Sequence, residues 1–167
     1  MRVLVEWGDH RTPLRYTVQG SNLGQASSVL RARGHQAGLF SWHVAYHLYC
    51  AHRPTVTRIK FSPTSSILMP TWPQYRIQPR LCQEEWDSIW NALMRHEVGH
   101  ADLFESRLDA LVAHLAHEPP MNSSKCRLYI DYQLNDIKKR ERQYDINTSH
   151  GSRGVDITIS RDCVGPT

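Results

Sequence analysis

The sequence lacks any long apolar run, any internal repeat and any low-complexity tract. No stretch approaches the ~18 consecutive apolar residues of a membrane-spanning helix, so we expect no integral membrane protein. The first residues, Met-Arg-Val-Leu-Val-Glu-Trp, lack the basic segment and apolar core of a signal peptide, and the chain as written is therefore expected to be cytoplasmic. With 167 residues, of which 40% are hydrophobic, the chain is predicted to form a single domain over residues 1–167.

Cysteine is scarce, and no two cysteines form a CxxC pair, which argues against a thiolate zinc knuckle or a thioredoxin-type site. The four are Cys50, Cys82, Cys126 and Cys163. We expect Cys50 to pair with Cys126 if a disulfide forms, because that bridge would tie a strand to a helix. Four free thiols are the alternative in a reducing compartment.

A large excess of one charge sign is also absent. The sequence has 20 Lys and Arg and 16 Asp and Glu, which gives a net charge of +4. The one tight basic cluster, residues 138–142, is interrupted by Glu141 and fits a solvated helix face, so no nucleic-acid partner is expected. Histidine, in contrast, is abundant, with ten residues. Because histidine is the commonest metal ligand, this excess directs attention to a metal site.

The first half of the chain has the pattern of short strands. Apolar and polar residues alternate from Leu39 to Tyr49, which places Phe40, Trp42 and Val44 on one face. A short helix is predicted over 21–33, with Ser21 or Asn22 as its N-cap and Gly34 as its stop. Strands are predicted at Val3–Trp7, Leu14–Val18, Leu39–Tyr49, Thr55–Phe61 and Ile67–Met69.

The second half has helical periodicity. Apolar residues recur at spacings of three and four from Gln83 to about His117, where two prolines follow. A second helix is predicted from Ser123 or Ser124 to about Gln143, and a loop and an edge strand at Val155–Ile159 follow it. Strands followed by helices predict an α+β fold that is zincin-like: a twisted, mostly antiparallel sheet packed against the first long helix, with a second long helix after it.

The first long helix contains the motif His96-Glu97-Val98-Gly99-His100, an HExxH. Residues four apart lie on one helix face about 6 Å from each other, so both imidazoles can bind one Zn²⁺ ion. Glu97 lies beside them and is predicted to be the general base that takes a proton from a zinc-activated water. The motif therefore indicates a metal-dependent hydrolase.

A catalytic zinc site needs a third protein ligand. The extended metzincin pattern would require glycine at 103 and histidine at 106, where the sequence has Leu103 and Ser106. His150 is the favoured ligand and Asp145 is the alternative, either as a ligand or as a group that orients a histidine. A second helix of ~20 residues, about 30 Å long, would return the chain to the middle of the first helix and bring both residues near the metal.

Several segments in the same order resemble the DUF922 family of bacterial proteins. They are Tyr-Thr-Val-Gln-Gly, Phe-Ser-Trp-His-Val-Ala-Tyr, Ile-Leu-Met-Pro-Thr-Trp, HEVGH and Tyr-Asp-x-x-Thr-x-His-Gly, within residues 16–151. The resemblance implies a secreted or periplasmic zinc-dependent protease. It further implies that His96, His100 and His150 bind the metal, that Glu97 is the base, and that Tyr144 and Asp145 support the active site.

We therefore expect a zinc metallopeptidase-like hydrolase, with Glu97 and Tyr144 as catalytic residues and a peptide or small amide as substrate. Two alternatives stay open: a metal-dependent tailoring enzyme for small molecules, and a binding domain in which zinc contributes folding energy alone. Iron, manganese, cobalt or nickel would also suit such ligands. The sequence does not indicate the oligomeric state or the cleavage specificity.

Overall fold

The computed structural model describes residues 1–52, 54–149 and 159–164. Within these residues the chain forms β1 (Arg2–Val5), β2 (Thr12–Thr17), α1 (Leu23–Arg33), β3 (Leu39–His52), β4 (Thr55–Thr71), α2 (Arg80–His117), β5 (Met121–Asn122) and α3 (Ser123–Thr148). The α+β class is thus confirmed, with a five-stranded sheet and two long helices. None of the described helices combines the length and the hydrophobicity that crossing a membrane requires.

Strand β4 is the centre of the sheet and pairs with each of the other four strands. It runs antiparallel to β5 but parallel to β1, which is an exception to the antiparallel pairing expected for most of the sheet. Two separate strands were expected over the range where β4 runs unbroken for 17 residues. Pro63 lies inside β4, where its carbonyl accepts a hydrogen bond from Gly8 N. This hydrogen bond does not require an N–H from the proline.

The chain forms two compact units, of which the first comprises residues 1–12, 41–66 and 100–144. Within it, β3 packs on both long helices: the Trp42 ring stacks on Phe104 of α2 with 4.6 Å between centroids. The Trp42 indole N–H donates to both carboxylate oxygens of Glu141 on α3, each at 2.8 Å. Phe61 and Leu108 are fully buried in this unit.

The second unit comprises residues 13–40, 67–99 and 145–167, apart from the residues that are not described. A disulfide joins Cys82 to Cys163 beside a buried core, and Cys50 and Cys126 are free thiols, so the expected Cys50–Cys126 bridge is wrong. The actual pairing joins residues 81 positions apart and could not be read from local sequence patterns. The core residues of this unit include Val18, Leu23, Leu30, Trp72, Trp86 and Ile89.

The boundaries of α1 follow the prediction, because the Asn22 side chain accepts a hydrogen bond from Gln25 N and Gly34 ends the helix at φ 56°. Helix α3, by contrast, continues five residues beyond the predicted end at Gln143, to Thr148. The predicted strand at 155–159 falls mainly outside the described residues. A single domain over residues 1–167 stays a prediction.

Candidate metal site

Helix α2 places the HExxH motif on a buried face. His96 and His100 are each 8% exposed and Glu97 is 4% exposed, although all three side chains are polar. They lie in the middle of a 38-residue helix, in line with the apolar residues that form its buried stripe. Burying three such groups is costly unless they have polar partners or a metal ion to bind.

Helix α3 supplies the third member of the cluster. Asp145 Oδ1 lies 3.2 Å from His96 Nε2, and ligand atoms of His96, His100 and Asp145 lie within 4.8 Å of one another. The loop expected to carry Asp145 is in fact the last turns of α3. This part of the helix contains residues of low helix propensity, and its contacts with α2 offset that preference.

Thr148 lies at the other ring nitrogen of His96. Its hydroxyl donates to the Asp145 carbonyl at 3.4 Å and lies 3.3 Å from His96 Nδ1. In the tautomer with the proton on Nδ1, the hydroxyl can accept that proton, and Nε2 then carries the lone pair that binds a cation. Two imidazoles with one carboxylate are a suitable donor set for Zn²⁺ and related ions. The residues present therefore fit a bound metal.

The Glu97 carboxylate is in contact with the start of β3. Phe40 N donates a buried hydrogen bond of 2.6 Å to Glu97 Oε2. The pKa of Glu97 is raised to about 7, chiefly by burial; the Phe40 hydrogen bond lowers it, and the nearby Asp145 charge also raises it. A carboxyl group with a pKa near neutrality can both accept and return a proton.

Two of the predicted site residues, Tyr144 and His150, are not among the three residues of this cluster. The Tyr144 ring meets His100 edge-on, with 4.8 Å between centroids, which places it at the cluster while its catalytic role stays a prediction. His150 lies outside the described residues, so its role as the third ligand also stays a prediction. Among the described residues, the cluster that could hold a metal ion consists of His96, His100 and Asp145.

Sequence reasoning missed the contributions of Thr148, Gly38 and the Phe40 backbone. Thr148 follows Asp145 by three residues, so both lie on one face if the helix is extended to that point. That extension is the signal that would have revealed it. Gly38 and Phe40 have no comparable signal, because their contact with Glu97 depends on tertiary packing.

A family model described as "Bacterial protein of unknown function (DUF922)" matches residues 14–151. The chain belongs to the DUF922 family. No curated protein and no solved structure matches this DUF922 chain. The family description assigns no function, so the chemistry of this DUF922 chain has to be argued from its own residues.

Proposed function

We propose that this DUF922 chain is a zinc-dependent hydrolase that cleaves an amide bond in a peptide. One observation carries the proposal: two buried histidines of α2 and the half-buried Asp145 of α3 form a cluster, and the buried Glu97 follows His96 directly on α2. A metal site that only stabilises the fold has no need of an adjacent acid of this kind. A hydrolytic site does need one, because water must lose a proton as it attacks.

The metal ligands and Glu97 have separate roles in the proposed hydrolysis. Zinc bound by His96, His100 and Asp145 would act as a Lewis acid and lower the pKa of water towards neutrality. Glu97 accepts the proton of the attacking water and then passes it to the nitrogen of the leaving amine.

Tyr144 supports amide hydrolysis in general, and strand β3 favours a peptide over a small amide. The Tyr144 hydroxyl is proposed to donate to the developing oxyanion, since its ring lies against His100. The first residues of β3 lie beside Glu97, because Phe40 N donates to its carboxylate, and among the described residues β3 pairs with β4 alone. Its other edge can therefore pair with an extended peptide through main-chain hydrogen bonds.

A structural metal site is the second candidate, and Asp145 is the observation that favours it. The structure places Asp145 with the two histidines, whereas the sequence favoured His150. If both residues bind the metal, four protein ligands close the site and leave no position for water or substrate. The number of ligands therefore distinguishes the two candidates.

Metal content of the purified protein, measured by mass spectrometry, tests the site. We expect about one zinc per chain in the wild type, and its loss in His96→Ala, His100→Ala and Asp145→Asn. Asp109→Asn, an exposed change on the same helix as the histidines, is the control and should keep the metal. Retention of zinc in Asp145→Asn and its loss in His150→Ala would transfer the third position to His150, and its loss in both would indicate the closed site.

Digestion of a peptide library, run beside a panel of small amides, tests the reaction. Glu97→Gln should keep one zinc and lose turnover by at least about 100-fold, because the amide cannot accept the proton. Glu84→Gln on the same helix has an exposed side chain and should match the wild type. Equal cleavage by Glu97→Gln would exclude Glu97 as the base, and cleavage of small amides alone would identify a tailoring enzyme.

A further inference from the structure

Gly38, just before β3, and Phe40, within β3, both contact Glu97. Phe40 N donates to Oε2 at 2.6 Å, which fixes one carboxylate oxygen. On the other side Gly38 lies so close that an added Cβ would come 2.7 Å from Oε1. The next nearest atoms to that Cβ are Cγ at 3.0 Å and Cδ at 3.2 Å, and both also belong to Glu97. Every one of these close contacts is therefore with Glu97.

Backbone conformation does not explain why residue 38 is a glycine. Among the glycines of the described part, Gly20 and Gly34 have positive φ, whereas Gly38 does not. Alanine can therefore adopt the backbone of residue 38 without strain. Non-bonded atoms essentially never approach a real Cβ within 3.0 Å, so a side chain here would force the Glu97 carboxylate to move.

We propose that Gly38 is a positioning residue for Glu97. By having no side chain, it leaves room for the carboxylate to lie with Oε2 on the Phe40 N–H and with Oε1 beside residue 38. Oε1 is then the oxygen that takes the proton of the attacking water and returns it to the leaving nitrogen. This assignment rests on the proposed function, but the close contact between Gly38 and Glu97 can be tested without any substrate.

A double-mutant cycle in thermal stability tests the contact. Gly38→Ala should lower the Tm by about 4 °C when Glu97 is present and by less than about 1 °C in a Glu97→Ala background, because truncation removes all three close atoms. Gly8→Ala is the matched control: its Cβ would meet Thr64 Cγ2 at 3.0 Å, and its effect should be the same in both backgrounds.

An equal loss of Tm from Gly38→Ala in the two backgrounds would overturn the proposal. If Gly38→Ala prevents folding of the wild type, folding of the Gly38→Ala, Glu97→Ala double variant still supports the contact. Failure of both to fold overturns it. None of these outcomes depends on hydrolysis.

Kinetics with a peptide from the library digest then test positioning. Gly38→Ala should keep one zinc per chain and KM within about twofold, while kcat falls by at least about 10-fold. In a Glu97→Gln background it should cause no further loss. A kcat within twofold of the wild type, or loss of zinc, would overturn the proposal. If the wild type cleaves no substrate, the proposed function fails, and the stability cycle still decides whether Gly38 positions Glu97.

Discussion

Asp145 on α3 and His96 on α2 lie 3.2 Å apart, although 49 residues separate them in the sequence. An imidazole nitrogen and a carboxylate oxygen at this distance share either a proton or a cation. The Thr148 hydroxyl lies 3.3 Å from the other ring nitrogen of His96, where it can accept the Nδ1 proton when Nε2 binds a cation. The pair also joins two long helices through a part-buried polar contact, so a bound metal is expected to matter for stability as well as for chemistry.

Removal of the metal should therefore lower the stability of the folded chain. A ligand that binds the folded state alone at 100 times its Kd adds about 2.7 kcal/mol, which corresponds to a Tm increase of roughly 5–10 °C for a chain of this size. Excess EDTA should abolish this increase, and added zinc should restore it. Differential scanning calorimetry of the wild type and Asp145→Asn is the measurement. An EDTA shift of the same size in Asp145→Asn would contradict a role for Asp145 in binding.

The hydroxyl of Thr148 should strengthen metal binding through His96. Thr148→Val removes the acceptor for the Nδ1 proton, and such changes typically weaken metal affinity by about 10-fold or more. Thr148→Ser keeps the hydroxyl and should retain most of the affinity. Competition with a chromophoric zinc chelator gives the two Kd values. Wild-type affinity in Thr148→Val would show that the hydroxyl does not contribute to metal binding.

Local signals in the sequence were enough to predict much of this fold. Asn22 and Gly34 mark the ends of α1 because a cap and a left-handed glycine act within one turn of the chain. The alternation in β3 likewise places Phe40 and Val44 inside and leaves His43 exposed. The unbroken β4 was not predicted, since proline normally interrupts a strand and its tolerance here depends on which neighbouring strand it faces.

The candidate site likewise contains residues that local sequence predicts and residues that only tertiary packing brings together. His96, Glu97 and His100 could be predicted because four residues on a helix define one face. Asp145 was recognised as an alternative, but its position on α3 was not, because packing against α2 extends that helix beyond its own propensity. The Phe40 hydrogen bond to Glu97 could not be predicted, since it joins a backbone group to a side chain 57 residues away.

An ion pair in the first unit should contribute to the pH dependence of stability. Arg11 donates to both carboxylate oxygens of Glu105, at 2.7 and 2.8 Å, and these hydrogen bonds lower the pKa of Glu105. Because its pKa in the unfolded chain is higher, this stabilisation is present above about pH 4.3 and is lost as the pH falls through the folded value.

Urea unfolding from pH 6 to pH 3 checks this prediction. The wild type should lose more stability on acidification than Glu105→Gln, by no more than about 1 kcal/mol because the pair is partly exposed to solvent. Glu84→Gln removes a more exposed pair and should follow the wild-type curve closely. Parallel pH curves for the wild type and Glu105→Gln would show that Arg11 does not stabilise the Glu105 carboxylate.

The disulfide should stabilise the second unit strongly. Cys82 and Cys163 are 81 residues apart, and closing a loop of that length removes chain entropy from the unfolded state that is worth about 4 kcal/mol. Cys82→Ser with Cys163→Ser should therefore lower the free energy of unfolding by an amount of this order, and a reductant should lower the wild type equally. Cys50→Ser changes an exposed free thiol and should have little effect. Denaturant unfolding with and without reductant measures both, and a reductant effect that persists in the double serine variant would place the stabilising disulfide elsewhere.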